Sequence, residues 1–321
     1  MTTYAFLTYD HGPGAITQTG GGWAVCARSP VRGRKKWKVA RPRHLGGLGC
    51  PDELLCETAP EAHDAVRAVY AEAIEVRPGT FAPARLSPGQ YHPRIWGGWH
   101  DRRQLLGGYS PFDAETQYGS AFNQSMVAAR NLFDDLEALF KVIEPVRANE
   151  KAHGHRLRDL LILCCTEIEA NWRAVWLDNT AQAPPKRLTT AHYVRLVEPM
   201  ALADWAVDLV HYQDFADLSP FGAWTSEEPT QSLPWYEAYN AVKHDRAELH
   251  QATLCHVVQA VAALHILLCA QWGPEHFDPW GGGYRSPLRL AKEPKRSCGD
   301  CYFPPLDCDD NQDDWRPVKC L

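Results

Sequence analysis

A chain of 321 residues is long enough for one large domain or two ordinary ones. Its 45% apolar and 22% charged residues are the mix of a folded globular protein, which excludes a disordered one. A net charge of −6 argues against a protein that coats nucleic acid over its whole surface, leaving room only for a local basic patch.

Residues 1–112 are rich in Gly and Pro, which interrupt regular elements, so this region reads as loop-rich with a little mixed α/β structure. Tyr4–Tyr9 is aromatic and β-prone, and Trp23–Ala27 and Lys36–Ala40 are placed to pair as a hairpin. Thr58 and Glu61 have capping-box spacing ahead of an apolar stripe from Ala65 to Ala73, which predicts a helix over 60–76. No period is visible over 77–112. The first ten residues lack the basic start and apolar run of a secretory signal.

Between 113 and 275 Gly and Pro become sparse and helical periodicity takes over. Phe122, Met126, Leu132, Phe133, Leu136, Leu139, Phe140 and Ile143 follow a 3.6 period, with Pro145 as the stop. A second helix is predicted from His155 to Asp178, burying Leu157, Leu161, Cys165, Ile168, Trp172 and Trp176. A shorter helical pair is expected across 190–212, broken near Pro199. Ser232 can cap a further helix with Pro234 in its first turn. The final helix is expected to continue to about Trp272 and stop at Gly273-Pro274. Its apolar run, Leu254–Ala270, is broken by His256, Gln259 and His265 and is too short to span a bilayer. A buried helix in a soluble, cytoplasmic protein without a membrane partner is therefore expected. Residues 276–321 read as an irregular Cys/Asp-rich tail. The expected fold class is thus mainly α: an antiparallel helical bundle over 113–275, flanked by the loop-rich N-terminal region and the tail.

The chemistry concentrates in Tyr239-Asn240-Ala241-Val242-Lys243-His244-Asp245-Arg246. On a helix Asn240 and His244 share one face, with Lys243 and Arg246 flanking it. Metal-independent RNA cleavage needs a proton-transfer group and positive charge at the phosphate, and no cofactor. His244 can move the proton, Asn240 can orient it or the phosphate, and Lys243 and Arg246 can bind phosphate. In the alternative, the motif is structural. Asn240 and His244 then satisfy each other or buried carbonyls, while Lys243 and Arg246 pair with Asp245, Glu237 or Glu248. Glu167, within an apolar helix, is a further candidate partner for His244 or Arg246 if it faces inward.

The segment Tyr239–His244 resembles the R-N-x-x-x-H motif of the HEPN superfamily of helical-bundle proteins, many of them metal-independent ribonucleases in defence systems. More narrowly, Trp235–Arg246 is similar to uncharacterised bacterial HEPN-like proteins with a Y-N-x-V-K-H-D-R signature. The resemblance covers roughly residues 115–275. It implies an RNA partner, a homodimer that builds the site across a two-fold axis, and roles for Asn240 and His244. It gives no Arg at position 239, where Tyr239 stands, and this departure points toward the non-catalytic members, which act in RNA binding or dimerisation.

Two other clusters are candidates. From Arg28 to Arg43 the chain carries eight Lys or Arg residues and no acid. Arg34, Lys35, Lys36, Trp37 and Lys38 interleave charge with an aromatic, as single-stranded nucleic-acid contacts do. A solvated face, or one neutralised by the acidic tail, is the other reading. Cys298, Cys301, Cys308 and Cys320 are candidate zinc ligands, but the later pair forms no second knuckle, so free thiols are expected. His153 and His155 are better explained as exposed residues at a helix start. Nucleophile-elbow, phosphate-loop, zinc-protease and dinucleotide signatures are absent.

Overall fold

The computed structural model describes residues 3–7, 13–19, 22–26, 38–40, 81–98, 114–183, 185–277, 283–303, 305 and 315–321. Its mass lies in helices: α1 (Ala114–Tyr118), α2 (Ser120–Phe140), α3 (His155–Asn179), α4 (Thr190–Tyr193), α5 (Pro234–His244) and α6 (Leu254–Trp272). The chain is mainly α, as its periodicity predicts. The inward residues of α2 and α3 are those that carry the predicted stripes, Phe122 to Phe140 and Leu157 to Trp176.

Helix α6 is the axis of the bundle and packs against α2, α3 and α5. It is apolar around nearly its whole circumference, so neighbours must cover every side. This helix alone among the described residues is long and apolar enough to cross a membrane, and 83% of that window is buried inside the protein. Its first turn is well satisfied. Thr253 Oγ1 accepts from His256 N at 3.2 Å, while Leu254 N and Cys255 N donate to Ala152 O and Glu150 O. Gly273 ends it at φ 111°, and a Cβ there would lie 2.5 Å from the carboxyl carbon of Glu275, which folds back over the helix end.

A polar tie runs through the bundle. Asn171 Oδ1 accepts from Ser125 Oγ at 3.3 Å and Gln271 Nε2 at 3.1 Å, and Asn171 Nδ2 donates to Glu167 O. One amide thereby connects α2, α3 and α6. Around Trp172 the core is aromatic, with Tyr193, Phe221, Trp224, Trp235 and Tyr236 at ring-centroid distances of 4.9–6.3 Å.

Three expectations change. The helical pair over 190–212 is not formed. After α4 come two short 3-10 turns, and Ala201 in the left-handed region breaks any continuation. Residues Ala206–Leu209 then form a strand, β7. Secondly, the motif helix does not carry the motif as far as Arg246. It stops at His244, because Asp245 is extended and its Oδ1 accepts from Ala247 N at 2.8 Å, starting a 3-10 turn over Arg246–Gln251. Thirdly, Ser232 is not the cap of α5: its hydroxyl donates to Glu228 O at 2.6 Å, and Leu233 precedes the helix, with Pro234 in the first turn as expected.

Strands β1 (Thr3–Leu7), β2 (Pro13–Thr19), β3 (Gly22–Cys26), β4 (Lys38–Ala40) and β5 (Ala82–Pro83) form a sheet of order β4-β3-β2-β1-β5. The hairpin of β3 and β4 is the predicted one, with Val25 opposite Lys38. Strand β2, with Tyr4 opposite Ile16, has no counterpart in the sequence reading. The predicted helix over 60–76 lies outside the described residues. Strand β6 (Gln90–Tyr91) pairs with β9 (Arg316–Pro317), and β7 (Ala206–Leu209) pairs with β8 (Leu288–Lys292). The tail is therefore only partly irregular, since two of its segments complete sheets begun far earlier in the chain.

Candidate functional site

Helix α5 divides cleanly by face. Trp235, Tyr236, Ala238, Tyr239 and Val242 are buried, while Asn240 is half-buried and Lys243 and His244 are exposed. Arg158 Nε donates to Val242 O at 3.2 Å, covering one of the carbonyls left open at the end of α5. Asn240, Lys243 and His244 are thus brought together on the exposed C-terminal end of the helix. Arg246 is exposed too, but it follows the break at Asp245 and does not continue that helical face.

Neither Asn240 nor His244 makes a side-chain hydrogen bond to another described residue. The intramolecular polar knot considered for them is supplied elsewhere, by Asn171 and Gln271. Nor do Lys243 and Arg246 form the expected surface ion pairs. Asp245 is occupied in capping, and Glu248 lies 3.7 Å from His250. Glu167 is half-buried but does not meet His244 or Arg246.

Glu169, two residues on, is the carboxylate that faces α5. Tyr236 Oη donates to Glu169 Oε1 at 2.5 Å. Beside it, Lys243 Nζ donates to Tyr239 Oη at 2.5 Å and sits 4.7 Å from the centre of that ring. The Tyr239 hydrogen bond, with help from Glu169, raises the Lys243 pKa, so the ammonium stays charged. Burial raises the hydroxyl pKa of both tyrosines; the bond to Glu169 adds to this for Tyr236. Sequence reasoning singled out neither contact. The signal available was the spacing of Tyr239 and Lys243 by one helical turn.

The other predicted residues do not join this site. Arg34, Lys35, Lys36, Trp37 and Cys308 lie outside the described residues, and Lys38 begins β4. Cys298 and Cys301 are buried with Ala5, Ala15 and Phe303 under the N-terminal sheet. Cys320 Sγ instead donates to Asn179 Oδ1 at 3.3 Å. Among the described residues no three His, Cys, Asp or Glu side chains gather as metal ligands. His153 Nδ1 bonds to Lys151 O, and His155 is exposed.

No protein-family model, curated protein or solved structure matches this chain. The site must accordingly be read from its own residues.

Proposed function

We propose that the protein is a HEPN-like, RNA-handling helical bundle acting in the cytoplasm as a homodimer, with the α5 face as a metal-independent endoribonuclease site in a defence or stress role. The observation that carries this reading is His244: exposed, without a side-chain partner among the described residues, on one helix end with Asn240 and a cation held in its charged form. An imidazole in that position is free to exchange protons with a ligand.

In the reaction, His244 takes the proton of a ribose 2′-hydroxyl. The 2′-oxygen attacks phosphorus, the bond to the 5′-oxygen breaks, that oxygen takes up a proton from solvent, and His244 returns its proton to solvent. The products are a 2′,3′-cyclic phosphate and a 5′-hydroxyl end. Lys243 offers the phosphate the N–H donors not given to Tyr239, Arg246 adds charge from beyond the helix end, and Asn240 orients the imidazole or a phosphate oxygen.

The buried Tyr239 favours a second reading. It fills the position of the motif's Arg and turns its hydroxyl to Lys243, which suits a non-catalytic interaction or dimerisation module. Incubating purified protein and its His244→Ala variant with total tRNA and a single-stranded RNA, in chelator, separates the two. Cleavage by the parent alone, with cyclic-phosphate ends, is the expected result. Because His244 is exposed and has no side-chain partner among the described residues, the variant should melt within about 0.5 kcal/mol of the parent, as for surface substitutions generally. Cleavage unchanged by the substitution would sink the mechanism. No cleavage by either protein, with a variant that loses its dimer, would select the second reading.

A further inference from the structure

A cavity of about 470 Å³ lies away from the α5 face, within the size range of small-molecule sites. Arg296, on the segment following β8, lines it. The Arg296 guanidinium sits 5.4 Å over the Trp96 ring, and its Nε and Nη2 atoms are shielded from solvent with no hydrogen-bond partner. Burial lowers its pKa from the ordinary arginine value. Arginine keeps its proton nonetheless, so a largely buried cation stands here without a bonded counter-charge among the described residues.

Asp300 acts on it through charge, but the bonds of that carboxylate go elsewhere. Asp300 Oδ1 is 2.6 Å from Arg85 Nε, and its Oδ2 accepts from Ser297 N and Oγ. Glu198 is exposed at the rim, where Arg195 is exposed as well. His92 Nδ1 must donate to Val318 O at 2.7 Å, since a carbonyl only accepts, which leaves Nε2 available. Leu86, Ile95 and Pro199 add apolar wall. The floor is set by Tyr302, whose hydroxyl donates to Ile95 O at 2.9 Å and whose ring occupies the space a side chain on Gly97 would need.

We infer that this cavity binds a small organic phosphate monoester, its phosphate held by Arg296 and Arg195 and its organic part lying on the apolar wall. Guanidinium forks match phosphate oxygens in pairs, and two of them balance a dianion. The volume is far larger than phosphate alone requires, which is why an organic portion is included.

Thermal melts of the full chain test this, with adenosine monophosphate, a hexose phosphate and inorganic phosphate as probes, against chloride at equal ionic strength. The expected result is a saturable rise in midpoint with at least one organic phosphate, larger than with inorganic phosphate. Arg195→Gln, at an exposed position where folding is not at risk, should weaken that rise by tenfold or more in apparent affinity. Arg296→Met should abolish the rise while raising the ligand-free midpoint, because it removes an unpaired buried charge. No rise with any probe, or one that survives both substitutions, would overturn the proposal. An equal rise with inorganic phosphate would overturn its organic half.

Discussion

Replacing Glu275 with glutamine is expected to stabilise the protein above pH 7 and to leave it nearly unchanged at pH 4. Glu275 folds back on Gly273 just past α6, and its Oε2 is shielded from solvent with no hydrogen-bond partner. Burial pushes its carboxyl up to about 7 from an ordinary 4.5. The folded state therefore favours the protonated acid. That contribution is fully present below pH 4.5 and is lost as pH rises from 4.5 through 7. At about 1.4 kcal/mol per unit, a shift from 4.5 to about 7 corresponds to about 3 kcal/mol above pH 7.5. Glutamine has nearly the same shape and stays neutral, but its amide also needs partners, so a gain of about 1–3 kcal/mol is expected there. Urea denaturation of parent and variant at unit intervals from pH 4 to 8 gives the comparison. A difference that does not change with pH, or a variant less stable at pH 8, would refute the reasoning.

His265 should behave in the opposite sense. It is buried against Phe277, at 4.4 Å between ring centres, with Nδ1 bonded to Ser286 Oγ, and burial lowers its pKa to about 3. Stability tied to this neutral imidazole is intact above pH 6.5 and falls by about 1.4 kcal/mol per unit as pH drops toward 3. His265→Leu should flatten that acid limb in denaturation curves, and an unchanged slope would count against a buried neutral histidine. Between pH 4.5 and 6.5 the slopes from Glu275 and His265 oppose each other, so the parent should vary little with pH there. Tyr239→Phe removes the hydroxyl that holds Lys243 and should cost about 1 kcal/mol in chemical denaturation. A neutral outcome would show that the ammonium is not held there.

The long helices were legible because their burial is a property of local spacing. The stripe from Phe122 to Phe140 and the run from Leu157 to Trp176 announce their inward faces at 3.6 residues per turn, whatever they pack against. The hairpin of β3 and β4 was legible for the same reason, since its partners are close in sequence. Strand β7 was not, because its partner β8 lies about eighty residues later and only that pairing gives Ala206–Leu209 its conformation. The motif residues Asn240, Lys243 and His244 could be placed on one helical face from spacing alone. Whether that face was a buried knot or an exposed surface could not, since burial depends on what the rest of the chain places beside it. Asp245 ends the helix through a local hydrogen bond that competed with continuation, and this took Arg246 off the face. The arginine pocket assembles from segments near 85–95, 195–199 and 296–302. Sequence by itself determined which residues are apolar and at what period. Tertiary structure alone decided which charges met a bonded partner and which, like Arg296, found none among the described residues, because counter-charges distant in the chain become neighbours only when the chain folds.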